Sequence, residues 1–222
     1  MCANQDISIS VEPGELLCLF GENGAGKSTL SACLTGLLQP DGGDILFKGK
    51  KVRLKSAVEA IRMGIGLVHQ HFVLVPDFTV LENIVIGAEH GLIVNYSAAE
   101  QKLRALCDTY GIEIAPNAKL RDLTVGEQQW VELLKALYFK ASVLILDEPT
   151  ATLDIEGSKK LFRIIDMLRS TGMAIIIITH KLDEVMQSDR VTVLRQGRVV
   201  GELVTAQTTT AELTRLMVGH EI

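Results

Sequence analysis

The 222-residue chain is long enough for one domain with a subdomain, and its 47% hydrophobic and 22% charged residues strike an ordinary globular balance. A formal net charge of -5 argues against a nucleic-acid surface, which calls for a basic face. The four cysteines (Cys2, Cys18, Cys33, Cys107) lack metal or redox spacing and read as reduced thiols; no signal-peptide pattern opens the chain and its longest strongly apolar run, 173–178, is far too short to cross a bilayer, so any membrane link runs through a partner.

In chain order, ISISV (7–11) alternates strictly and predicts a half-buried antiparallel strand. LLCLF (Leu16–Phe20) is a continuous apolar run that predicts a buried strand, followed by a glycine-rich turn and a helix in STLSACLTGLL. GDILFKGKKV predicts a hairpin turning near Gly49, and IGLV forms another apolar run just before Gln70. From about 72 to 139 the pattern is mainly helical, with Ser97 and Glu100 at capping-box spacing ahead of a stripe of Leu103, Leu106, Cys107 and Tyr110. This stretch predicts a helical subdomain inserted into the core.

VLIL (143–146) then reads as a strand buried on both faces, followed by a helix over 156–170 with Leu161, Ile164, Ile165 and Leu168 on one stripe. Gly172 closes that helix, AIIIIT supplies a further buried strand, and RVTVLRQGRVVGEL predicts a second hairpin near Gly197. Buried strands alternating with amphipathic helices predict an α/β core with a largely parallel sheet and a small flanking antiparallel sheet.

Five short motifs carry chemistry. Gly21-x-x-Gly24-x-Gly26-Lys27-Ser28 matches the P-loop pattern in its required strand–loop–helix setting. Such a loop turns successive N–H groups toward a phosphate, beside the positive end of the following helix. Lys27 can then reach the β- and γ-phosphates, and the Ser28 hydroxyl can ligate Mg²⁺. VLILDEPT ends a buried strand in two carboxylates; behind a P-loop, Asp147 suits the Mg²⁺ shell and Glu148 suits polarising an attacking water. His180 ends the next buried strand, where it can hydrogen-bond the γ-phosphate, although a lone histidine is more often structural. Gln70 can touch metal or water from the side, a weak signal on its own. LTVGEQQ (123–129) places Thr124, Val125 and Gly126 at a helix N-terminus, an anion-binding geometry with no phosphate assigned to it.

The P-loop, Gln70, LTVGEQQ, LILDEP, TLD and His180 stand in the order found in ATP-binding-cassette (ABC) ATPases, and the resemblance covers nearly the whole chain. It implies a P-loop NTPase fold with a RecA-like parallel-sheet core, a flanking antiparallel β-subdomain and an inserted helical subdomain. It also implies that Gly21, Asn23, Gly24, Ala25, Gly26, Lys27, Ser28 and Thr29 hold ATP, and that Ser28, Gln70 and Asp147 serve Mg²⁺. Glu148, His180 and Gln70 would act in hydrolysis. Thr124 and Gly126 would contact the nucleotide of a second ABC domain in trans, with Asp154 lining the same interface.

GLVHQHFVLVPDFTVLENIVIG and LTVGEQQWVELLKAL resemble the nucleoside and simple-sugar importer branch, in which two such domains usually stand in tandem. The chain is similar to the first of them. The resemblance implies an ATPase that energises import through a separate transmembrane permease and, indirectly, a solute-binding protein. It would be peripheral on the cytoplasmic face of the plasma or inner membrane, with no nucleic-acid partner. The other readings are a nucleotide-binding module of little ATPase activity and a non-transport ABC ATPase.

Three departures from the family pattern stand out. The sole aromatic before Gly21 is Phe20, in a buried strand, so the adenine-stacking residue and a first edge strand are expected to be missing. Loss of one stacked ring weakens binding by about 1–3 kcal/mol and affects adenine selectivity more than triphosphate binding. Val125 stands where glycine is commonest. Trp130 replaces the usual arginine, which puts the packing of the signature helix in question.

Overall fold

The computed structural model describes residues 3–70, 73–86 and 95–219. Leu16–Phe20 (β1) is wholly buried and leads through 21–26 into the helix Lys27–Leu34 (α1). Ile45–Phe47 (β2) and Lys50–Val52 (β3) form the hairpin expected at Gly49. Lys48 and Gly49 take φ of 51° and 74°, the mirror-image turn that matches strand twist in a two-residue connection. Ala57–Met63 (α2) precedes Ile65–Val68 (β4). Next come Val80–Val85 (α3), Tyr96–Tyr110 (α4) and Val125–Tyr138 (α5), which pack on one another.

The chain then alternates through Val143–Asp147 (β5), Ile155–Ser170 (α6), Ala174–Thr179 (β6), Leu182–Val185 (α7), Arg190–Arg195 (β7), Arg198–Val204 (β8) and Thr210–Val218 (α8). The main sheet runs β4-β5-β6-β1-β7-β8, parallel except for the last pair. Period-two alternation sorts each central strand between two cores. Leu144, Leu146, Ile175 and Ile177 meet the stripe Leu161, Ile164, Ile165 and Leu168 of α6. Leu17, Leu19, Ile145, Ile176 and Ile178 pack on the other face, against Leu30 and Leu34 of α1. Because β4, β5, β6 and β1 are parallel neighbours, their carboxyl ends share one edge, and there the chain carries Gln70, Asp147–Glu148, His180 and the glycine loop.

Four expectations need correction or completion. Residues 7–11 form no strand: Ile7, Ile9 and Val11 are half-buried against the α1-side core and Ser8 and Ser10 are exposed, so the alternation records burial without a ladder. The hairpin at Gly197 is the edge of the main sheet, not part of a separate flanking sheet. The helix α4 is capped by Asn95, whose Oδ1 accepts the Ala98 N–H at 3.1 Å; Ser97 lies inside it, and Glu100 pairs with Arg104 at 2.7 Å instead. Asparagine just ahead of the first turn is among the strongest caps, so it wins over a serine two positions on. Trp130 is accommodated rather than disruptive: it is buried in the α5–α6 core with the Lys160 ammonium 5.4 Å from its ring centroid. Among the described residues Cys18, Cys33 and Cys107 are free, and no helix is long and apolar enough to cross a membrane.

Candidate functional site

The glycine loop is built by close approach. A Cβ on Gly21 would stand 2.3 Å from the Leu194 carbonyl oxygen of β7, so only glycine can leave β1 there. Gly26 has φ 101°, and a Cβ on it would meet Asn4 Oδ1 at 2.1 Å and the Ala3 carbonyl at 2.7 Å. Gly26 also stands at the N-cap of α1 without a side-chain cap, so the helix start keeps its N–H groups for another acceptor. Gly26→Ala is expected to lower Mg·ATP affinity at least about tenfold and to cost about 1–3 kcal/mol of stability, read by calorimetry and urea unfolding. Wild-type values for both would show that the loop accepts a side chain.

Lys27 is buried, and its Nζ donates to the Gly21 carbonyl at 2.6 Å and the Glu22 carbonyl at 3.0 Å. Burial pulls its pKa down, while the charges of Glu148 and Asp147 push it back up. The ammonium thus binds two loop carbonyls and feels the negative charge of Glu148 and Asp147. Asn23, Gly24 and Ser28 are exposed, Thr29 is half-buried and Ala25 is buried under the loop.

Glu148 is the centre of the site. It follows the last residue of β5 with φ 46°, a left-handed conformation that side chains rarely adopt, and its N–H donates to the Ile178 carbonyl of β6 at 2.9 Å. The turn delivers its carboxylate to two neighbours. Gln70 Nε2 donates to Oε2 at 3.0 Å, and His180 Nδ1 lies 2.9 Å from Oε1. An ionised carboxylate only accepts, so His180 Nδ1 carries the proton in that contact. Three residues singled out separately in the sequence therefore share one carboxylate.

Thr124, Gly126 and Asp154 are placed differently. Thr124 caps α5 in a full capping box: its hydroxyl accepts the Glu127 N–H at 3.3 Å and donates to Glu127 Oε2 at 2.7 Å, which holds that carboxyl below its ordinary value. Gly126 faces the Thr152 carbonyl, 3.6 Å from where a Cβ would stand. Asp154 caps α6, its Oδ1 accepting the Gly157 N–H at 2.7 Å. Among the described residues no hydrogen bond joins these three to the Gln70–Glu148–His180 group. A cavity of about 360 Å³ nevertheless has Gln70, Val125, Gln128 and Thr152 in its walls, so the first turn of α5 and Gln70 face one space.

Sequence reasoning missed the anchor behind Glu148. The buried Thr150 hydroxyl contacts Glu184 Oε1 and receives Lys181 Nζ at 2.8 Å, tying the turn after β5 to α7. Lys181 and Glu184 closely follow His180 in sequence, but nothing periodic links them to Thr150.

Among the described residues no group of three or more His, Cys, Asp or Glu could hold a metal unaided. Oxygen donors at this edge would suit Mg²⁺, which takes one or two protein oxygens and completes its shell with phosphate and water. Ser28 at the start of α1, Asp147 at the end of β5 and the Gln70 amide bring oxygens to this edge, beside the Glu148 carboxylate.

A parallel sheet with a glycine loop, a buried lysine and paired carboxylates at one strand edge defines a P-loop NTPase cassette. The ABC transporter family model matches residues 4–151, and the chain belongs to that family. It is 44% identical over 223 residues to the nucleoside import ATP-binding protein NupA of Lactococcus lactis subsp. cremoris, covering 99% of this chain and 44% of that protein. It is 46% identical over 219 residues to the ribose import ATP-binding protein RbsA 1 of Rubrobacter xylanophilus, covering 97% of this chain and 44% of the relative. The fold resembles the ATP-binding cassette MJ0796, solved as a dimer in a post-hydrolysis state with ADP and Pi, at TM-score 0.78 and 25% identity over 91% of this chain and 90% of that one. The chain spans under half the length of the curated relatives it matches.

Proposed function

We propose that residues 1–222 form one ABC nucleotide-binding domain, with a helical subdomain at about 72–139, of an ATPase that energises solute import through a separate permease. The observation that carries hydrolysis is Glu148, ionisable and held from both sides by Gln70 and His180. Gly21, Asn23, Gly24, Ala25, Gly26, Lys27, Ser28 and Thr29 cradle the triphosphate. Ser28, Asp147 and Gln70 hold Mg²⁺, which neutralises phosphate charge when bound. Glu148 accepts the proton of an attacking water, and His180 keeps that carboxylate aimed while its ring meets the γ-phosphate.

A second ABC domain, tandem or a second copy, completes the site with Thr124, Gly126 and Asp154 in trans. Their positions at or just inside helix N-termini, with no hydrogen bond to the chain's own Glu148 among the described residues, support that reading. The import names of NupA and RbsA 1 support a nucleoside or simple-sugar permease, reached indirectly by a solute-binding protein. Such a domain sits peripherally on the cytoplasmic face of the membrane. Val73, Val75 and Phe78, exposed on the segment after Gln70, offer the permease an apolar surface.

Calorimetry and light scattering of the Glu148→Gln chain with Mg·ATP test this reading. Binding with a doubled mass is expected for two copies closing on two nucleotides. Binding at constant mass places the completing domain on another part of a longer chain, and no binding overturns the assignment of the cradle.

A further inference from the structure

Val73 lies three positions beyond Gln70 and is 63% exposed. Both polar groups of its backbone are nevertheless held by α5. Its N–H donates to Glu132 Oε1 at 2.9 Å, and its carbonyl receives Lys135 Nζ at 3.5 Å. Glu132 and Lys135 are three apart, so they project from one face of that helix. Two residues on, the buried Asn83 of α3 does the same to Val75, accepting its N–H at 2.7 Å and donating to its carbonyl at 3.0 Å.

Glu132 is the costly member. It is 3% exposed, and burial pushes its carboxyl up while Lys135 and the Val73 N–H pull it back. Burying a carboxylate is expensive, and an apolar residue would fill that helix position without the penalty. Stability of the segment does not require it, since the backbone of an exposed residue can be satisfied by water. What the carboxylate does provide is a fixed link. Glu132 is eight residues from Thr124 along α5, about 12 Å of rigid helix at 1.5 Å per residue. The start of that helix carries the cap assigned to a partner's nucleotide; its middle holds the backbone of Val73.

We propose that Glu132, assisted by Lys135, is a positioning residue that holds the backbone of Val73, three positions beyond Gln70, on the signature helix, so that the helix carrying Thr124 limits where Gln70 can stand relative to Glu148. The clamp holds backbone only, which leaves the side chains of Val73 and Val75 turned out for a permease. This inference rests on the roles given to Gln70, Glu148 and Thr124 under the proposed function.

The test is steady-state Mg·ATP hydrolysis with the completing ABC domain present, whether a second copy or the remainder of a longer chain, with nucleotide affinity measured separately. Glu132→Ala is expected to lower kcat about tenfold, or about 1.4 kcal/mol, with Kd for Mg·ATP unchanged. Glu132→Gln keeps an oxygen that accepts the Val73 N–H and should remain within about twofold of wild type, because a neutral acceptor retains most of one hydrogen bond. Lys135→Met, on the rim of the clamp, should lower kcat by a smaller factor.

Val73→Pro removes the donor without touching α5 and serves if Glu132→Ala does not fold; it should reproduce the tenfold loss. Wild-type kcat in folded Glu132→Ala or in Val73→Pro overturns the proposal. So does a loss in Glu132→Gln equal to that in Glu132→Ala, which would make the charge rather than the bond decisive. Glu148→Gln separates this failure from that of the underlying reading: if it turns over like wild type, the assignment of Glu148 falls. The clamp is then judged on ATP-driven doubling of mass, which Glu132→Ala should shift to higher ATP concentration; an unshifted curve overturns it.

Discussion

Replacing Glu148 by glutamine is expected to lower turnover of Mg·ATP by about 10²–10⁴-fold, the range that positioned general bases supply, with nucleotide affinity little changed. The substitution keeps length, and its amide oxygen still accepts from His180 Nδ1, which lies 2.9 Å from the carboxylate. What it loses is the ability to take a proton. Glu148→Asp tests the geometry independently. It preserves the charge but withdraws the carboxylate by one methylene from Gln70 and His180, and misplacement of that size costs about 10²-fold in rate. The positive φ of 46° at this position holds the backbone where a full-length side chain reaches both neighbours. Phosphate release in single and multiple turnover checks both variants. Wild-type turnover in the glutamine form would remove Glu148 from the chemistry; turnover in the aspartate form equal to wild type would mean that the two contacts do not aim it.

The parallel core was legible because burial on both faces leaves an unmistakable mark: LLCLF and AIIIIT are apolar at nearly every position, and the helix stripe at Leu161, Ile164, Ile165 and Leu168 points at them. Once those strands are placed side by side, their carboxyl ends bring Lys27, Asp147, Glu148 and His180 to one edge without further information. The illegible parts depend on partners far away in sequence. Residues 7–11 alternate like a strand, yet alternation reports only which side chains are covered, and no neighbour offers them a ladder. The same limit hid the grip of Thr150 by Glu184 and of Val73 by Glu132, because a buried carboxylate on a helix looks in sequence like any exposed one. The choice of Asn95 over Ser97 as cap was a local contest that spacing alone does not decide.

Lys27→Ala should weaken ATP binding by about one to two orders of magnitude, since charge-assisted hydrogen bonds are each worth about 1.5–3 kcal/mol. The buried ammonium is the only cation placed by the described contacts between the loop carbonyls of Gly21 and Glu22 and the charges of Asp147 and Glu148. Without it, a triphosphate would meet the negative charges of Asp147 and Glu148 with no lysine to offset them, so repulsion adds to the lost bonds. Lys27→Arg should also fail: the wider planar guanidinium has no room where Nζ now sits 2.6 Å from the Gly21 carbonyl in a buried pocket. Because a P-loop lysine serves the β- and γ-phosphates, the loss should be largest for ATP, smaller for ADP and negligible for AMP, all read by calorimetry. An equal loss for all three nucleotides would mean that Lys27 supports the shape of the loop through its carbonyl contacts rather than binding phosphate. A graded loss would place its ammonium at the outer phosphates.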